Sequence, residues 1–235
     1  MNSRESSDYP RGLSYALAET KFLLLDFDGP ICSVFAQLSA GLVARRLLDS
    51  LKGEVNIAIP ARVEISQDPF DILRLAATID ELQPVRIEAE LTSYELKAVT
   101  TAKPTESTSQ LIHSWRSKGR RLGIVSNNSE AAVSYYLTHH NMISYIDAIS
   151  ARTSSEVKLL KPDDYLVQNV ISQMAANPDE CTIIGDSITD AISARTAGCK
   201  SIGYANKPHK VAEFEKAFDH VVTDMRTILD YVESI

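Results

Sequence analysis

The chain has 235 residues, 44% hydrophobic and 23% charged, with a formal net charge of −7; this is a globular composition with room for one large domain, or a core plus an insert. An acidic balance argues against nucleic acid as the main partner, because phosphate backbones require clustered Lys and Arg. No apolar run is long enough to span a bilayer, no apolar leader segment is visible, and Cys32, Cys181 and Cys199 match neither a disulfide framework nor a zinc site, so a cytoplasmic protein with reduced thiols is expected.

Residues 1–12 are polar and read as a poorly ordered tail. Leu13 to Glu19 reads as a short lead-in turn. Phe22 to Leu25 reads as a buried strand, cut off by Asp26-Phe27-Asp28 and the breaker pair Gly29-Pro30. Two carboxylates at the end of a buried strand are costly unless something uses them. From Ile31 to Lys103 the period changes. Phe35, Leu38, Leu42, Val43, Leu47, Leu48 and Leu51 recur at helical spacing. Asp68 and Pro69 read as N-cap and first residue of a second helix, and Pro84 to Lys97 as a third. No strand signal stands out here, so the stretch reads as a helical insert that leaves the core after the two acids and returns at Lys103-Pro104.

Beyond Pro104, helices and strands alternate. Strands are expected at Arg121–Val125, Tyr145–Ser150, Thr182–Ile184, Lys200–Tyr204 and Val221–Val222. Helices are expected at Thr108–Lys118, Ser129–His140, Pro162–Ala175, Ile188–Ala197, His209–Ala217 and Met225–Val232. Such alternation implies right-handed βαβ units and a parallel sheet. The expected organisation is a Rossmann-like, doubly wound α/β core formed by residues 1–32 and 104–235, with an α-helical cap at 33–103.

In a parallel sheet the strand C-termini open on one edge. Asp26-Phe27-Asp28, Ser126-Asn127-Asn128 and Gly185-Asp186-Ser187-Ile188-Thr189-Asp190 can therefore converge, with Lys161-Pro162 at the mouth of a helix. Taken in order, Asp26-x-Asp28-Gly29, the strand ending in Ser126-Asn127, Lys161-Pro162 and Gly185-Asp186-Ser187-x-x-Asp190 resemble the haloacid-dehalogenase-like superfamily of phosphohydrolases. The likeness is to its phosphoglycolate-phosphatase-like branch with a helical C1 cap.

The resemblance implies a Mg²⁺-dependent phosphatase acting on a small phosphate ester, as monomer or homodimer. Asp26 would be the nucleophile that forms an aspartyl-phosphate. Asp28 would be the acid for the leaving alcohol, then the base for water. Mg²⁺ would sit between Asp26, the Asp28 carbonyl, Asp186 and waters, with Asp190 acting nearby. Ser126 and Lys161 would hold the phosphoryl group, with Gly29 and Asn127 beside them. Arg45, Arg46, Arg62 or Arg74 of the insert would set substrate choice. The chain departs from many relatives in carrying Pro30 where they have Thr. A phosphomutase and a non-catalytic phosphate-binding module are the alternatives.

Overall fold

The computed structural model describes residues 11–235, so most of the expected tail lies outside it. The chain opens with α1 (Arg11–Glu19), a two-turn helix where a turn was expected. Leu13, Ala16 and Leu17 recur on one face and are buried, and that packing is what lets so short a segment hold helical form. Strand β1 (Phe22–Leu25) follows, and β2 (Cys32–Ser33) lies just past the acidic turn.

Between β2 and β3 (Lys103–Pro104) the chain forms α2 (Ala40–Glu54), α3 (Ala61–Glu64), α4 (Pro69–Ala76) and α5 (Leu82–Val99). Their ends are written in local chemistry. Ser39 accepts the Leu42 N–H at the start of α2, and Asp68 accepts the Phe70 N–H with Pro69 as first residue of α4. Strands β2 and β3 pair antiparallel, Cys32 against Pro104 and Ser33 against Lys103. They join the two crossings of the insert into one stem. Two residues carry no period, so this ladder was invisible in the sequence.

The remainder is α6 (Thr108–Ser117), β4 (Arg121–Ser129), α7 (Glu130–His139), β5 (Ala148–Arg152), α8 (Tyr165–Gln173), β6 (Cys181–Gly185), α9 (Ile188–Ala197), β7 (Lys200–Tyr204), α10 (Val211–Ala217), β8 (His220–Val222) and α11 (Arg226–Ser234). The six long-range strands form one parallel sheet in the order β5-β4-β1-β6-β7-β8. β1 is central, and the strand order reverses around it, which makes its C-terminal end the crevice of the sheet. The largest shifts from the expected boundaries are these. β4 runs on through Ser126-Asn127-Asn128, β5 starts later, and α8 begins at Tyr165 rather than at Pro162.

Both faces of the sheet are covered, which explains the unbroken apolar run of β1. Leu23 and Leu25 point into a cluster with Trp115, Tyr136 and Leu229, while Leu24 points to the opposite side with Val167, Val170 and Ala194. The latter cluster continues into the inserted helices through Leu47, Leu51, Ile72, Leu73 and Leu91. Cap and core thus share apolar packing. Leu24 has no exposed surface. Leu24→Ala is expected to destabilise the chain by about 2–5 kcal/mol, read as a lowered urea midpoint at unchanged m-value.

Candidate active site

Parallel pairing fixes where the first acid sits. Leu25 lies level with Ile124 and Ile184, and the Asp26 N–H still bonds the Ile184 carbonyl at 2.9 Å. Asp26 is therefore held as the last in-register residue of β1 and is 8% exposed. Phe27 turns into the core, edge-on to Tyr136 with ring centroids 5.4 Å apart. With this residue anchored, the acids on either side are left at the sheet edge. Asp26 Oδ1 accepts the Phe27 N–H at 2.7 Å and Lys161 Nζ at 2.9 Å. Asp28 Oδ1 accepts the Val34 N–H at 2.9 Å. The turn between them and the stem requires Gly29: its φ is +110°, and a Cβ there would lie 2.5 Å from Asp186 Cγ. The Gly29 and Pro30 carbonyls accept the hydroxyls of Thr105 and Thr108, so side chains between β3 and the start of α6 brace this turn.

Strand β4 carries a register shift between Ser126 and Ser129 in its pairing with β5. Bulges of this kind re-aim side chains. Ser126 is 1% exposed, and its Oγ donates to Asn128 Oδ1. Asn127 borders the same cavity, but its amide brackets the backbone of Lys161. Its Oδ1 accepts the Lys161 N–H at 2.8 Å, and its Nδ2 donates to the Lys161 carbonyl at 3.1 Å. Asn127 thus holds the lysine in place. Lys161 Nζ reaches Val125 O at 3.0 Å, Asp190 Oδ1 at 2.6 Å and Asp26 Oδ1 at 2.9 Å. Its sequence neighbour Lys158 is exposed and pairs with Glu156. Pro162 is not the first residue of a helix as expected; the Lys161–Pro162 peptide is cis and α8 starts three residues later.

Strand β6 delivers the last acids. Gly185 allows a close approach, since a Cβ there would lie 2.3 Å from Asp190 Cβ. Ser187 caps α9, and Asp190 completes a capping box through Oδ2 on the Ser187 N–H at 3.0 Å. Asp190 therefore serves the helix and the lysine together. Asp186 Oδ2 accepts Asn206 Nδ2 at 3.0 Å and Lys210 Nζ at 2.7 Å, and Lys210 also bonds the Asp186 carbonyl. Asn206 and Lys210 were missed in the sequence. The available signal was topological: they follow β7, whose end opens on the same edge.

These groups line a cavity of about 170 Å³. The floor is formed by Asp26, Asp28, Ser126, Asn127, Asn128, Lys161, Asp186, Ser187 and Thr189, and Asp68, Phe70 and Arg74 of the insert close it from above. Of the four candidate arginines, only Arg74 borders this cavity. Arg45 and Arg62 line other grooves, and Arg46 lies over the Tyr94 ring.

Burial dominates the electrostatics. It raises the Asp26 carboxyl, opposed by Lys161 and reinforced by Asp190 and Asp186. It raises Asp28 to about 7, against the Val34 N–H and with help from Asp186. Lys161 goes the other way: burial would lower it, but Asp190 and Asp26 reverse this and hold the ammonium charged.

The oxygens suit a hard cation. Carboxylate oxygens of Asp26, Asp186 and Asp190 lie within 4.8 Å of one another. Both Asp190 oxygens already have partners, whereas among the described residues Asp26 Oδ2 and Asp186 Oδ1 accept no hydrogen bond. Asn206 Oδ1 is a buried acceptor without a partner beside them. Fully ionised, Asp26, Asp28, Asp186 and Asp190 against Lys161 and Lys210 leave two negative charges. A divalent cation would neutralise these and draw the raised carboxyls back down.

The model of the haloacid dehalogenase-like hydrolase family matches residues 63–204, which hold Ser126, Lys161, Asp186 and Asp190. Phosphoglycolate phosphatase of Nitrosospira multiformis is 24% identical over 214 residues, 83% of this chain and 88% of its own. A predicted phosphatase of Clostridium acetobutylicum has a similar structure, with TM-score 0.71 and 17% identity, covering 92% of this chain and 99% of that one. CbbY of Rhodobacter sphaeroides, in complex with phosphate, aligns with TM-score 0.66 and 16% identity over 91% and 99% of the two chains. With most of its length matched by the family model, the chain belongs to the haloacid dehalogenase-like hydrolases.

Proposed function

We propose that the chain is a Mg²⁺-dependent phosphatase that hydrolyses a small phosphate ester through an aspartyl-phosphate. One observation carries this reading. A carboxylate with one oxygen braced by a buried ammonium and the other unengaged shares its cavity with a second carboxyl that burial raises. Asp26 Oδ2 would attack phosphorus as the ester P–O bond breaks, and Asp28 would give its proton to the departing oxygen. Water would then attack the same phosphorus, Asp28 would take its proton, and the P–O bond to Asp26 would break to release phosphate. Lys161 and the Ser126 hydroxyl would meet the negative oxygens of the transferring group. Asp26 and Asp186, with the Asp28 carbonyl, would hold Mg²⁺, whose role is to offset charge between nucleophile and phosphoryl group.

Residues 33–103 would act as the cap, set on the β2–β3 stem, and Phe70 and Arg74 would meet the leaving group. The small cavity favours a short substrate. All three cysteines are free and buried, which suits a reducing compartment such as the cytoplasm. Among the described residues no helix is long and apolar enough to cross a membrane.

Asp26→Asn is expected to lower turnover at least about a thousandfold, with the urea midpoint retained. Removal of divalent cations with a chelator should abolish hydrolysis and Mg²⁺ should restore it, while calorimetry on the full chain should report one cation bound. The raised carboxyl of Asp28 donates a proton only below its pKa of about 7. A bound cation draws that pKa down, so hydrolysis of an alkyl phosphate should fall as pH rises through a value below it. Hydrolysis of p-nitrophenyl phosphate should not, because its phenolate departs without a proton. A full alkyl rate at pH 9 would remove Asp28 from the acid role.

A further inference from the structure

Glu95 lies in α5 of the insert, yet it has no exposed surface and its partners belong to the core. Its Oε2 accepts the Ser129 N–H at 2.9 Å and Arg152 Nη2 at 2.7 Å. Its Oε1 accepts Asn128 Nδ2 at 3.2 Å and Arg152 Nη1 at 3.3 Å. Arg152 is 3% exposed and also donates to the Asn127 carbonyl at 3.1 Å. A charge pair buried between two layers is weak evidence for stability. Its placement against the bulge of β4 points to another use.

An ionised carboxylate only accepts hydrogen bonds. Glu95 therefore decides which end of the Asn128 amide faces which way. With Nδ2 on Glu95, Oδ1 is turned to the Ser126 hydroxyl at 3.3 Å, and the Asn128 backbone N–H donates to the same Ser126 Oγ at 3.2 Å. Ser126 is thus held from two sides by one residue, whose own orientation is set from the insert.

We propose that Asn128 and Glu95 are positioning residues for the phosphoryl-binding hydroxyl: Asn128 keeps Ser126 Oγ in place and receives its proton when no phosphoryl oxygen is present, and Glu95 fixes Asn128 in the orientation that does so. This rests on the reading of Ser126 as a phosphoryl ligand. It makes α5 a part of the phosphate site as well as a part of the cap, linking the seating of the insert to the readiness of β4.

A double-mutant cycle tests it. Asn128→Ala, Glu95→Gln and Ser126→Ala, with the two pairs containing Ser126→Ala, are compared by kcat/KM for p-nitrophenyl phosphate and by calorimetric affinity for inorganic phosphate. The expected result is a loss of about tenfold for Asn128→Ala in both readouts, and less than about twofold for the same change in the Ser126→Ala background. Glu95→Gln should repeat this pattern with a smaller loss. Equal factors in both backgrounds would mean that Asn128 only supports the fold, and would overturn the inference while leaving the phosphatase reading intact. A wild-type chain that binds phosphate but turns over no ester would overturn the phosphatase reading alone, and the affinity cycle would still decide the role of Asn128. A chain that neither binds phosphate nor turns over the ester would overturn both.

Discussion

The Lys161 ammonium is the joint on which the site depends. It is buried, and it touches the last residue of β1's register, the carbonyl of Val125 in β4 and the first turn of α9 beyond β6. Three neighbouring strands thus deliver their ends to one cation. A buried ammonium is tolerable only when paired and fully hydrogen-bonded, and the requirement is mutual. Asp26 and Asp190 are buried acids whose carboxyls burial raises and the ammonium draws back down. Removing the lysine would strand both, which is why Asn127 matters although it is not itself charged: its amide fixes the backbone that aims the ammonium.

Long-period features were legible in the sequence, and short-range exceptions were not. The central strand showed itself because burial on both faces demands an uninterrupted apolar run. α9 fills its expected bounds, and in the structure Ser187, Asp190 and Gly198 cap its two ends. The α1 helix was misread because nine residues give only about two and a half turns, and its docking on the core holds it. The β2–β3 stem carries no pattern at all. At the site, Asp26, Ser126, Lys161 and Asp186 come from strand ends or the approach to a helix, and the parallel topology alone brings them to one edge. Glu95, Asn206 and Lys210 lie where sequence period says nothing of function. Glu95 in particular sits in a helical stretch where a carboxylate ordinarily means a solvated face, and only the third dimension places Arg152 opposite it.

The insert is bound to the core by two unlike means. Apolar packing continues from the sheet into α2, α4 and α5, and it is tolerant of small shifts because it has no direction. The Glu95–Arg152 network has direction, since each hydrogen bond fails beyond a few tenths of an ångström or a few tens of degrees. The first holds the insert near the sheet, and the second specifies its register at one point, beside the bulge of β4. Arg152 also lies 5.7 Å from the centroid of Phe70, a wall of the cavity. One guanidinium therefore meets both the floor strand and the roof helix.

That arrangement divides labour within a cavity of about 170 Å³. Groups that must keep fixed distances stand on strand ends and first helical turns, where backbone bonds hold them. The roof is formed by one short helix, α4, whose Asp68 and Arg74 pair with each other and line the cavity together with Phe70. Changes on that helix can alter what fits above the acids without touching Asp26, Lys161 or Asp186. The converse does not hold. A change at Gly29 or Gly185 would drive a side chain into Asp186 or Asp190, so the floor has almost no freedom to vary while the roof has a good deal.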